Sequence, residues 1–132
     1  MNISDKDRKL LWAKSGNLCA ICKEKLFQLN EKGTAINRGE ECHIISKTPN
    51  GPRYMPNLDN YDTYDNLILL CSVHHKEIDD KNNVSLYPPQ RLYQIKEAHE
   101  KWVNETLDLK KQPKEKDWSA ILRKLDLINY HG

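Results

Sequence analysis

Two sets of metal-type ligands separate by chemistry in this sequence. Cys19, Cys22, Cys71 and His74 form a CxxC…CxxH set. Four sulfur and nitrogen donors of this kind suit a closed, tetrahedral structural Zn2+ site. His74 is followed by His75, and the gap after Cys71 matches the first pair, which favours His74 as the zinc ligand. His43, Asn66, His75 and Asp79 remain. Mixed imidazole and carboxylate suit an open Mg2+, Mn2+ or Zn2+ site that keeps positions for water. His75 and Asp79, at i and i+4, share a face if a helix carries them. An ion held there can polarise a phosphate and neutralise a departing alkoxide. A metal-free histidine nearby can deprotonate the attacking water, help that is typically worth ~10²–10⁴-fold. Asn66 can orient that imidazole, because a base works only in the right tautomer and pose. Blander chemistry is also open: a redox pair or plain buried cysteines for Cys19 and Cys22, and a hydrogen-bonded strand histidine for His43. A redox CxxC should follow a strand and open a long helix, whereas the residues after Cys22 are polar.

These residues need elements to place them. Residues 4–15 read as a helix, with Ser4 as N-cap, Asp7 three residues on, Leu10, Leu11 and Trp12 on its apolar side, and Gly16 just past its end. Residues 24–39 read as a polar loop. Residues 40–46 read as a short strand carrying His43, and 67–70 as an apolar strand, plausible antiparallel partners across a long connection. That connection, 47–60, contains Pro49, Asn50-Gly51, Pro52 and Pro56. It is the longest irregular stretch, which points to a substrate-facing loop, and its Lys47 and Arg53 are candidates for touching phosphate. A helix bearing His75 and Asp79 should end in the polar turn 81–83. Residues 84–87 read as extended, and Pro88-Pro89 opens a helix with Leu92, Ile95, Val103 and Leu107 on one side. His99 and Trp102 in that helix read as core residues. The charged stretch 110–116, with Pro113, reads as a linker before a last amphipathic helix over 117–132. The fold class expected is α+β, with a main domain over 1–109.

Composition bounds the setting. The chain has 132 residues, 38% hydrophobic and 30% charged, with one Phe. The core should be thin and helped by a metal. A structural zinc contributes an apparent ~10–16 kcal/mol to the folding of small domains. A net charge of +2 is too small to argue for nucleic acid by itself. No apolar run approaches the ~18 residues of a membrane span, and the N-terminus MNISDKDRKLL has no signal-peptide apolar region. A cytoplasmic location, without membrane partners, is therefore expected. In that compartment four cysteines point to metal or redox chemistry rather than disulfides.

The series E-C-H-I-I-S, G-P-R, Y-D-N-L-I-L-L-C-S-V-H-H-K-E-I-D and L-Y-Q-I-K-E-A-H-E-K-W resembles HNH endonucleases with the ββα-metal finger, over about residues 8–107. It is similar to a branch often found in bacterial anti-phage defence and restriction systems. The resemblance implies a hairpin-plus-helix module with zinc knuckles, flanked by helices, that cuts DNA with low sequence specificity. It implies His43 as general base, Asn66 as the residue fixing the His43 loop, and His75 and Asp79 as ligands of a catalytic Mg2+ or Mn2+. Cys19, Cys22, Cys71 and His74 fall on the structural zinc. Many members carry a metal ligand directly before the base, where this chain has Cys42. A related branch has a glutamate slightly upstream, which here is Glu40, so Cys42 reads as a ligand or a buried filler and Glu40 as a further ligand candidate. The rival expectations are a catalytically silent zinc-knuckle binding module and a nuclease subunit that acts only with a partner, such as a defence-system protein. The segment 117–132 could serve packing or partner docking.

Overall fold

The computed structural model describes residues 2–111. The element order is α1 (Asp5–Ser15), β1 (Phe27–Leu29), β2 (Ala35–Asn37), β3 (Gly39–His43), β4 (Leu67–Cys71), α2 (Ser72–Asp79) and α3 (Pro89–Lys111). Short 3-10 turns at Tyr64–Asn66 and Val84–Leu86 precede β4 and α3. The architecture is α+β: two separate antiparallel hairpins with helices packed around the second.

α1 starts where its sequence dictates. The Ser4 hydroxyl accepts from the Asp7 amide, which satisfies one of the orphan donors of the first turn. It stops at Gly16, whose φ of 62° lets the chain leave in the left-handed region. A Cβ at Gly16 would also come within 2.9 Å of Val103 on α3, so this glycine lets two helices approach. The zinc-type knuckle follows as a tight loop. Cys19 donates its amide to Glu24 O, Lys23 its amide to Cys19 O, and Lys23 takes the left-handed conformation with φ of 65°.

The polar stretch 24–39 is not a plain loop, as its composition suggests; it contains the β1–β2 hairpin, with Phe27 opposite Asn37. Its strands are three residues long and almost wholly exposed, so no buried alternation marks them. The turn is held instead by Asn30, whose side chain accepts from the amides of Lys32 and Thr34, and by Gly33 at φ 80°.

β4 is the core strand. All five of its residues are buried. It pairs with β3 in a register that sets His43 opposite Leu67 and Gly39 opposite Cys71. β3 ends at His43, earlier than the sequence pattern suggests, because the Ile45 amide turns away from the ladder to the Asn66 side chain. Leu11, Leu26, Ile44, Ile78 and Leu92 close over β4 from the helices and loops. Residues 84–86 form a 3-10 turn rather than the extended piece expected. Trp102 and Leu107 are exposed, contrary to the core reading of that stripe, while Val103 is buried. α3 runs through Lys111, into the segment read as linker. The rest of that segment and the helix expected over 117–132 lie outside the described residues.

Candidate metal centre and active site

The turn from β4 into α2 distributes the ligands. Cys71 caps α2, its sulfur accepting from the His74 amide. The first turn of that helix thereby swings His74 back toward Cys71, with Nδ1 3.1 Å from Sγ. The knuckle brings Cys19 and Cys22 to the same point and is tied to β4 by a hydrogen bond from the Ala20 amide to Leu69 O. Donor atoms of Cys19, Cys22, Cys71 and His74 all lie within 4.8 Å of one another. Three sulfurs and one imidazole nitrogen at that spacing fit a Zn2+ ion.

His75, one residue on, points elsewhere. Its Nδ1 meets Glu40 Oε1 on β3 at 2.5 Å, and its Nε2 meets Asp79 Oδ2, one turn along α2, at 3.0 Å. The hydrogen bonds to Asp79 and then Cys42 push the imidazole up to about 11, against the opposing effect of burial. Asp79 is held below its usual range: burial acts to raise it, but the bonds to His75 and Arg53 outweigh that. Glu40, His75 and Asp79 are all partly open to solvent. Glu40 and Asp79 thus face opposite nitrogens of one imidazole, and among the described residues it is the Cys3His donors that converge within reach of a single ion.

Cys42 is fully buried, and burial raises its thiol, whose Sγ lies 3.3 Å from Glu40 O. It is a core residue beneath His75.

Arg53 is not on the surface. Its side chain is 3% exposed and fully engaged: Nε donates to Ile44 O at 2.6 Å, Nη1 to Ile78 O at 2.9 Å, and Nη2 to Asp79 Oδ1 at 2.6 Å. This corrects its reading as a phosphate contact. The guanidinium fork matches inward-facing acceptors and locks the end of β3 to the end of α2. The preceding loop folds back so tightly that a Cβ at Gly51 would fall 1.9 Å from Ser46 Oγ. Lys47, the other candidate, is half-exposed, with Nζ 3.5 Å from Asp62.

His43, at the end of β3, is about a quarter exposed. Asn66 does not touch its ring. The buried Asn66 carboxamide accepts from the Ile45 amide and donates to Ile45 O and Tyr61 O. The group on the ring is Asp62, which the sequence reading missed, with Oδ1 2.7 Å from His43 Nε2. Asp62 is 3% exposed. Burial acts to raise its carboxyl, but the hydrogen bond to His43 and the Lys47 charge bring it below the usual range. Its only sequence signal is its place in Y-D-T-Y-D-N, where two aspartates precede the asparagine.

α3 serves the site from behind. His99 is buried; its Nε2 donates to Ser15 O at 2.9 Å, and Lys23 lies 2.6 Å from its Nδ1. Lys96 pairs with Glu100 and lies over the Tyr64 ring, and the Tyr64 hydroxyl donates to Glu100. The trailing I-K-E-A-H-E segment thus holds the knuckle, the end of α1 and the turn before β4. Among the described residues, no helix is long and apolar enough to cross a membrane.

A search of curated proteins found no match. The family model described as HNH endonuclease matches residues 19–82. That stretch opens on the first knuckle cysteine, runs through β3, β4 and α2, and includes every residue of the two ligand sets as well as His43, Asp62 and Asn66. With the β-hairpin, the helix and the Cys3His cluster in place around it, residues 19–82 of this chain are similar to the HNH endonuclease family.

Proposed function

We propose that the protein is a metal-dependent nuclease that hydrolyses phosphodiester bonds of DNA with low sequence specificity. The observation that carries this reading is the division between adjacent histidines. His74 joins the Cys3His cluster, while His75 lies between Glu40 and Asp79. A binding module needs only the first arrangement.

The chain's own groups supply the following chemistry. Cys19, Cys22, Cys71 and His74 would hold Zn2+ and fix the β4–α2 turn. Glu40, His75 and Asp79 would hold Mg2+ or Mn2+, whose chemistry there is to offset charge on the phosphate and the leaving oxygen. Arg53 fixes the Asp79 carboxylate. His43 takes a proton from water, the water oxygen attacks phosphorus, and the bond from phosphorus to the 3′ oxygen breaks. The leaving oxygen is protonated from solvent, which gives 5′-phosphate and 3′-hydroxyl ends. Lys47, half-exposed beside the base, contributes a phosphate contact that positions without reading sequence. Asn66 acts through the backbone of Ile45, two residues after His43, and of Tyr61. On the resemblance alone, we place the protein in bacterial cytoplasm, in defence or restriction.

The test is nicking of supercoiled plasmid with Mg2+ or Mn2+, beside His43→Ala. Metal-dependent nicking that disappears in the variant, with 5′-phosphate ends, is the expected result. Equal inertness of both proteins in every metal, with and without candidate partners, would favour the silent binding module.

A further inference from the structure

The general base proposed above has one nitrogen already committed. Asp62 Oδ1 lies 2.7 Å from His43 Nε2, and among the described residues no hydrogen bond is made to Nδ1. A carboxylate held ionised can only accept, so the nitrogen facing it carries the proton. Asp62 is such a carboxylate. It is buried, and it is kept anionic by His43 and Lys47 against the effect of burial. Its backbone is also fixed, because the Asp62 amide donates to Asn60 Oδ1 at 2.9 Å.

We propose that Asp62 is the positioning residue of this site: it holds His43 in the Nε2–H tautomer and leaves Nδ1 as the proton acceptor. Asn66 sets the distance between the two. Its carboxamide bonds Ile45, two residues after His43, and Tyr61, one residue before Asp62. One buried side chain therefore brackets the segment that carries the base and the segment that carries its partner. The proposal deepens the nuclease reading and rests on it for its catalytic meaning. The tautomer itself can be observed without activity.

The experiment uses the full chain with its zinc, as wild type, Asp62→Asn and Asp62→Ala. Nitrogen-15 spectra of the histidine rings, taken at a pH where imidazoles are neutral, report the tautomer of His43. Single-turnover plasmid nicking at increasing protein concentration separates rate from binding. The expected wild-type spectrum has His43 protonated at Nε2 and bare at Nδ1, and both variants give a tautomer mixture or the reverse form. The maximal rate falls ~10²-fold or more in both, as expected when a general base is lost, while the half-saturating protein concentration stays put. Asp62→Asn is nearly isosteric, so it keeps the test open if Asp62→Ala does not fold. Variants that keep the wild-type tautomer, or that keep the wild-type rate, would overturn the proposal. A fall in rate explained entirely by weaker DNA binding would do so too. An inactive wild type would sink the nuclease reading, and the spectra would still decide the Asp62–His43 claim.

Discussion

The carboxamide of Asn66 is a bracket of three hydrogen bonds between two chain segments, and it is buried. Asn66→Ala would leave an amide and two carbonyls without partners at a cost of about 1–3 kcal/mol each. We expect a loss of at least ~3 kcal/mol in denaturant unfolding, together with slower nicking. Arg53 poses the same question with a charge. Arg53→Met strands the Ile44 and Ile78 carbonyls and removes one of the two partners of the partly exposed Asp79 carboxylate, and each buried carbonyl left without a partner costs about 1–3 kcal/mol. Chemical unfolding should show that loss, and DNA affinity of the folded variant should keep its salt dependence, because the guanidinium donors are engaged by Ile44, Ile78 and Asp79. An unchanged stability with weaker DNA binding would return Arg53 to the surface role read from the sequence. At this scale the ligand types were legible, because Cys and His at short spacings have few other uses. Asp62 and the inward turn of Arg53 were not. Both depend on how a proline-rich loop folds back, and no periodicity encodes that path.

At the scale of elements, the β4–α2 turn does two jobs with one backbone. Cys71 ends a fully buried strand, caps a helix and contributes a metal-type sulfur. Removing the metal should therefore cost the fold as well as the site. We expect about one tightly held zinc per chain by elemental analysis, and loss of the cooperative thermal transition after zinc is stripped; a zinc-free chain that melts like the loaded one would contradict this. α3 gives a pH prediction. Burial, more than the nearby Lys23 charge, lowers His99, against the bond to Ser15 and the influence of Glu100. A ring that resists protonation when folded but accepts it when unfolded makes stability fall as pH drops below about 6.5. The difference in stability between wild type and His99→Gln should accordingly shrink as pH is lowered from 7.5 toward 5.5, measured by chemical unfolding in steps of pH. A difference that stays constant or grows would show that His99 is not held neutral. β4 and the three described helices were legible, because each has either an apolar run or a capped amphipathic pattern, whereas β3 has neither and its end was read three residues too late. The β1–β2 hairpin was not, since its residues face solvent on both sides and its register rests on Asn30 and Gly33.

At the scale of the whole molecule, a thin core is wrapped around one strand, and the two candidate metal sites lie on either side of one peptide bond. Folding and catalysis would then have separate metal requirements within a few residues. Brief treatment with a chelator too weak to take a Cys3His zinc should stop nicking reversibly and leave the protein folded. The ligand division itself is tested most directly by comparing His74→Ala with His75→Ala for zinc content and plasmid nicking. His75→Ala should keep about one zinc per chain and a cooperative melt while losing metal-dependent nicking; His74→Ala should lose zinc and the folded state with it. Loss of zinc from His75→Ala, or a His74→Ala protein that stays folded and keeps its zinc, would contradict the division of these two histidines between structure and chemistry.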